Sequence, residues 1–204
     1  MDVKTKLLSE SELLTKFVNI RPLFPTPIAS IPNCITSEER LQLIKSIKNI
    51  SHHSHDAISG DGISSHYEDG QSSSFLNKGI KKRIQTALDE YNTECGYKLS
   101  KLSNIWSNIQ NSGSALLEHS HPQSLVSGAL YINVGEESRL YFHNPNPYVY
   151  FTNRLENTPF TYEYSWIPVH NCELILFPSW LRHGKHDYIN EMDERIVVSF
   201  NTKH

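Results

Sequence analysis

The chain has 204 residues, 38% of them hydrophobic and 20% charged, with a formal net charge of −3. That length allows one domain with a real core, and the slightly acidic balance lacks the basic footprint of a nucleic-acid binder, so nucleic acid is not an expected partner. No apolar run approaches the roughly 20 residues of a membrane span, no signal core opens the chain, and Cys34, Cys95 and Cys172 are odd in number without paired spacing, so a cytoplasmic protein with reduced thiols and no membrane partner is expected.

Residues 9–18 fit a short helix, with Ser9 as cap and Glu12 at capping-box spacing. Leu23-Phe24-Pro25-Thr26-Pro27-Ile28 contains two prolines and reads as an edge strand or an extended lead-in. Thr36 or Ser37 caps a predicted helix over 38–50, on which Leu41, Ile44, Ile47 and Lys48 trace a mostly apolar stripe. From 51 to 74 the composition turns to Ser, Gly, His and Asp, a polar loop of a length that is functional or mobile. Residues 77–96 form the clearest helix, with Ile80, Ile84, Ala87, Leu88 and Tyr91 on one face and Gly96 as its stop.

Beyond Gly96 the chain breaks into short β-rich segments: 103–109, 114–119, 126–134, 140–143, 161–164, 173–177 and 195–201. Their lengths predict a mainly β protein, a jelly roll or small barrel built from 97–204, with the helical and loop-rich residues 1–96 packed outside it in the same single domain. If alternation runs on from His119, residues 119, 121, 127, 129 and 131 share one face while Val126, Leu130 and Ile132 face the packed side; Pro122 interrupts that ladder.

The chemistry concentrates in the β-rich half. His119 and His121, two residues apart, point to one side of an extended chain. His183 emerges where the apolar segment Glu173-Leu174-Ile175-Leu176-Phe177 ends in a Pro178-Ser179-Trp180 turn. Arg195 opens a late strand, its face shared with Ser199 and Asn201, and offers a planar fork for a carboxylate. Each has a plainer reading: surface histidines at a strand end, a rim histidine, and an edge-strand partner for Asp193 or Glu194. In combination, two histidines, a distant third and an arginine suit a mononuclear metal site with open positions and a nearby organic-acid pocket.

The chain resembles the 2-oxoglutarate- and Fe(II)-dependent oxygenases, in a subfamily common in marine bacteria and their phages. The matching stretches run in family order: Leu23-Phe24-Pro25-Thr26-Pro27, Trp106-Ser107-Asn108, His119-Ser120-His121-Pro122, Ser127-Gly128-Ala129-Leu130-Tyr131, Leu176-Phe177-Pro178-Ser179 with His183, and Arg195-Ile196-Val197-Val198-Ser199-Phe200-Asn201. The resemblance implies a double-stranded β-helix, Fe(II) held by His119, His121 and His183, and 2-oxoglutarate with its far carboxylate on Arg195, aided by Tyr131 and Ser199. The implied reaction is hydroxylation of an unidentified substrate with release of succinate and CO2.

One departure stands out. The superfamily's usual motif is His-x-Asp or His-x-Glu with a distal His, whereas this chain has His-x-His. Either His121 takes the acid's place, or His121 takes the histidine's place and Gln123, a poor ligand, falls where the acid belongs. The first is favoured because both imidazoles share a face. Three neutral ligands would leave iron one charge more positive than the usual triad. A cupin-type dioxygenase that does not use 2-oxoglutarate, and a non-enzymatic module on the same scaffold, are the rival readings. Elsewhere, the cluster His52, His53, His55 and Asp56 lacks a distant partner pair and reads as a solvated loop that could also cover the site, as does His66. The aromatics Tyr148, Tyr150, Phe151, Phe160, Tyr162, Tyr164 and Trp166 are expected to pack between strands.

Overall fold

The protein's computed structural model describes residues 23–66, 73–151, 153, 155–185 and 187–203; the helix expected at 9–18 lies outside them. In chain order the elements are β1 (Ala29–Ile31), α1 (Ser37–Lys48), β2 (Ile58–Ser59), β3 (Gly62–Ser64), α2 (Lys78–Glu94), β4 (Lys101–Gln110), β5 (Ala115–Leu116), β6 (Val126–Asn133), β7 (Arg139–His143), a 3-10 turn (Pro147–Phe151), β8 (Tyr164–Pro168), β9 (Leu174–Pro178) and β10 (Arg195–Lys203). No helix among the described residues is long and apolar enough to cross a membrane.

Both helices form where capping chemistry and periodicity agree. Thr36 and Glu39 make the reciprocal capping box of α1, and the Asn77 side chain accepts from Ile80 N–H at the start of α2. Helix α2 buries Ile80, Ile84, Leu88 and Tyr91, and Gly96 leaves it with φ +68, as expected. The stripe expected on α1 is rotated: Leu43 and Ile47 are buried, Leu41 is exposed, and Lys48 pairs with Glu194 at 2.5 Å. The cause is Arg40, whose guanidinium bonds Ile132 O and Asn133 Oδ1 and turns the 40–43–47 face toward the sheet.

Antiparallel pairing builds a six-stranded sheet in the order β1-β9-β6-β10-β4-β3, with β2-β5 and β7-β8 as two-stranded sheets. Alternation on the three central strands makes the layers. Leu130 and Ile132 of β6, Leu174 and Leu176 of β9, and Ile196, Val198 and Phe200 of β10 pack with the helices in one core. Ala129, Tyr131, Ile175, Phe177 and Val197 turn the other way and meet Leu140 and Phe142 of β7 in a second. The result is the expected jelly-roll arrangement, with helices outside and a small inner core beside the cavity described below.

Four boundaries differ from expectation. The 23–28 segment is not a strand; Phe24 has φ +57 and β1 begins at Ala29. Of 114–119 only Ala115–Leu116 form a strand, while His119 makes an isolated bridge. Residues 158–162 are held as a turn by Thr161, which bonds Thr158 N and Thr158 O, so β8 starts at Tyr164 rather than 161. The polar loop contains β2 and β3, and β3 extends the large sheet by pairing with β4.

Gly128 occupies the middle of β6 for want of space. A Cβ there would lie 2.6 Å from Cε1 and 2.8 Å from Cε2 of Phe200, a ring with no exposed surface. Gly128→Ala is expected to destabilise the fold by about 1–3 kcal/mol through overpacking. Adding Phe200→Leu should make the pair less damaging than the sum of the two single changes, because it opens the space the methyl needs. Denaturant unfolding of the four proteins checks this; strict additivity would refute the contact.

Candidate metal centre and its cavity

Three histidines meet because two distant backbone segments pair. His119 N–H donates to His183 O and His183 N–H to His119 O, both at 3.0 Å, in an isolated antiparallel bridge. His121 N–H is anchored on Ser179 O at 2.8 Å. After His183 the chain turns at Gly184, with φ +90, and a Cβ there would come within 2.5 Å of Leu117 O, so only glycine lets the two segments lie this close. The ring centroids of His119 lie 4.3 Å from His183 and 4.9 Å from His121. One ligand nitrogen from each histidine lies within 4.8 Å of the others, and among the described residues this is the one cluster of histidine, cysteine and acidic groups so arranged.

Two of the three tautomers are set by the backbone. Nδ1 of His119 lies 2.7 Å from Leu117 O and Nδ1 of His183 lies 3.0 Å from Leu181 O. A carbonyl oxygen only accepts, so each Nδ1 carries the proton and each Nε2 is left with a free lone pair. Burial also keeps the rings neutral. It pushes His183 well below the usual histidine range and lowers His119; His121, pressed by burial and by the neighbouring imidazoles, falls to about 4. Neutral imidazoles with lone pairs converging are a donor set that fits a transition-metal ion.

The histidines line a cavity of about 510 Å³, together with Tyr131, Arg195 and Ser199. Arg195 Nη1 donates to Gln110 Oε1 at 2.8 Å, and its guanidinium lies 5.7 Å from the Tyr131 ring centroid. Among the described residues no carboxylate forms an ion pair with it. Asp193 accepts from Ser112 N–H and Glu194 pairs with Lys48, so the edge-strand partners considered above are engaged elsewhere. Burial lowers the Arg195 pKa and raises that of Tyr131, the sign of a desolvated cation facing a desolvated phenol. Arg195 is half-buried, so solvent reaches it in part, and an anion entering the cavity would meet its charge.

Among the described residues no acidic side chain joins the histidine cluster. Glu118 borders the cavity, yet its carboxylate accepts from Tyr164 Oη at 3.2 Å and Arg182 Nη2 at 3.4 Å, with His143 Nε2 at 3.6 Å. Gln123 is exposed and lines a separate polar depression, which argues against its standing in for an acid. Some wall residues escaped sequence reasoning. Trp106, Asn108 and Gln110 face the cavity by alternation on β4, a period visible in the sequence once β4 is known to border it. His55 and His66, 3.3 Å apart through Nε2 and Nδ1, reach the same cavity from the loop expected to be solvated, because β3 ties that loop to β4. His52, from the same cluster, bonds Ser107 Oγ at 2.9 Å instead. The aromatic run does not all pack between strands: Tyr148, Phe151, Phe160 and Trp166 are exposed, and Arg139 lies 4.2 Å over the Trp166 ring. The side chain of Tyr150 lies outside the described residues.

The family profile described as "Putative 2OG-Fe(II) oxygenase" matches residues 104–201, a segment containing all three histidines and Arg195. No curated protein sequence matches the chain significantly. Several solved structures share its fold. HygX from Streptomyces hygroscopicus, with nickel, 2-oxoglutarate and hygromycin B bound, superposes with a TM-score of 0.56 at 12% identity, over 96% of this chain and 87% of that one. An oxidoreductase of the 2OG-Fe(II) oxygenase family from Burkholderia pseudomallei gives 0.59 at 10%, over 86% and 85%. A Pseudomonas putida prolyl-4-hydroxylase gives 0.53 at 12%, over 88% and 94%. Sequence across the site-bearing segment matches the 2OG-Fe(II) oxygenase profile, and the chain as a whole shares the fold of these structures.

Proposed function

We propose that His119, His121 and His183 hold Fe(II), that Arg195 takes the far carboxylate of 2-oxoglutarate with Tyr131 and Ser199 beside it, and that the enzyme hydroxylates an unidentified substrate with release of succinate and CO2. The observation that carries this reading is the joint placement of a neutral three-histidine cluster and an uncompensated guanidinium on one cavity wall. Bound iron supplies the oxygen-activating centre at which the co-substrate is oxidatively decarboxylated and the substrate oxidised. The chain's own contribution is to position and to exclude. Gln110 occupies one nitrogen of Arg195, leaving the rest of the fork for a carboxylate. Ala129, Phe177 and Val197 give that wall an apolar stretch, which strengthens each electrostatic contact inside. His119 and His183 bring ligand lone pairs whose orientation is set before any metal arrives.

A second reading, a cupin-type dioxygenase that makes no use of 2-oxoglutarate, has one observation in its favour: among the described residues no carboxylate joins the three histidines. Arg195 separates the two.

Anaerobic protein loaded with Fe(II) should develop a weak visible charge-transfer band on adding 2-oxoglutarate, and His183→Ala should lose metal, band and succinate release together. Metal retained in full by that variant would exclude the proposed ligand set. Arg195→Ala should raise the 2-oxoglutarate concentration needed for half-maximal turnover at least roughly thirtyfold, the equivalent of ~2 kcal/mol for truncating one partner of a buried charge contact, with metal affinity unchanged. An unchanged requirement would favour the cupin-type reading.

The histidine shifts also predict an acid dependence. Their folded pKa values lie below the ordinary 6.5, so between 6.5 and about 4 (the His121 value) the unfolded chain binds protons that the folded chain does not. Stability of the metal-free protein should be complete above pH 7 and fall as the pH drops through that window. Melting temperatures measured across pH 4–8 should show a shallower decline for His121→Ala than for the native chain; parallel declines would contradict the assignment.

A further inference from the structure

Of the three histidines, two have their tautomers set by carbonyl oxygens, and the third does not. His121 presents Nδ1 to the side-chain amide of Asn201, with Nδ2 at 3.3 Å. An amide is ambidextrous: its oxygen accepts and its nitrogen donates. If nitrogen faces the ring, Nδ1 must accept, the proton sits on Nε2, and His121 has no lone pair to offer the cluster. If oxygen faces the ring, Nδ1 carries the proton and Nε2 is free, matching His119 and His183.

The surroundings accept either orientation. Asn201 Oδ1 lies 2.8 Å from Ser127 Oγ, which lies 2.8 Å from Ser179 Oγ; both serines are almost wholly buried. Hydroxyls donate or accept, so turning the amide reverses the direction of this chain and leaves each member bonded. The same Ser179 anchors the His121 backbone through its carbonyl. Asn201 itself stands where the β10–β4 register shifts, between Phe200 and Thr202, an irregularity of the sort that re-aims a side chain. Arg195, Val197 and Ser199 line the main cavity, whereas Asn201 lines the adjoining depression and reaches His121 from behind.

We infer that Asn201 is the positioning residue that makes His121 a ligand: its amide oxygen, backed by Ser127 and Ser179, holds His121 in the Nδ1–H form and turns Nε2 toward His119 and His183. This rests on the reading of the three histidines as the iron site. It also gives the departure from the usual acidic ligand a structural basis, since an imidazole in that place needs an acceptor behind it that a carboxylate ligand would not.

The test uses the full chain, first metal-free and then titrated with Co(II). In 1H–15N spectra of the histidine rings, His119, His121 and His183 should all carry the proton on Nδ1 in the native protein and in Asn201→Asp, whose carboxylate can only accept. In Asn201→Leu, His121 alone should shift toward the Nε2–H form while His119 and His183 report an intact fold. Co(II) affinity should then fall about 10–100-fold, the usual effect of losing a partner behind a metal ligand. Combined with His121→Ala, Asn201→Leu should cost nothing further, because it acts through that ring. An Nε2–H His121 in the native protein, an unchanged tautomer and affinity in Asn201→Leu, or losses that add in full would each overturn the inference. Failure of the native chain to bind Co(II) would overturn the iron-site reading and the inference with it, and the tautomer signals tell that failure from a failure at Asn201 alone.

Discussion

The reciprocal pair of backbone hydrogen bonds between His119 and His183 is the constraint on which the site depends. It joins the end of β5 to the turn after β9, and every other member of the cluster is referred to it. His121 follows by two residues and is held at Ser179, four residues before His183. Gly184 permits the approach by carrying no Cβ where Leu117 O would meet one. Because the link is backbone to backbone, the separation of the two Cα atoms does not depend on any side-chain rotamer, and the bonds of Nδ1 to Leu117 O and Leu181 O then orient the rings.

The large sheet works as a partition with two chemistries. On the helix side β6, β9 and β10 present Leu130, Leu174, Val198 and their neighbours to a dry core. On the cavity side the same strands present Ser127, Ala129, Tyr131, Val197 and Arg195, mostly small or polar groups that leave room beside the histidine cluster. Burial acts oppositely on the two kinds of titrating group there. It strips charge from the imidazoles, which suits ligation, and cannot strip it from a guanidinium, which is left to seek an anion. The cavity thus has a neutral pole, where burial and mutual repulsion keep the imidazoles uncharged, and a cationic pole at Arg195, and a dianionic organic acid bridging the two fits that division.

The His-rich loop shows how much a sheet edge matters. Read by composition, 51–74 is a solvated excursion; in the fold, β3 adds to the edge of the large sheet, and His55 and His66 are carried to the cavity wall. They bring hydrogen-bonding groups to that wall of the cavity.

Much of this was legible in the sequence, and the limits have a physical origin. Local rules found what local physics controls: the capped helix α2 from its period and its Gly96, β6 and β10 from alternation, and the inward face of Ser127, Ala129 and Tyr131. The motifs around His119, His121, His183 and Arg195 named the site residues, because ligand chemistry limits which side chains can serve. Local rules failed where a long-range contact overrides them: Arg40 rotates α1, the Thr158–Thr161 turn delays β8, and β3 pairs inside a polar loop. The acceptor behind His121 belongs to this second class. Asn201 is eighty residues away in sequence and a hydrogen bond away in space, and a tautomer is set by whatever stands next to the ring rather than by the residues beside it in the chain. Sequence alone singled out the three histidines and the arginine as candidates; tertiary structure decided that they share one cavity and which carbonyls face His119 and His183, because hydrogen-bond partners depend on neighbours that only folding brings together.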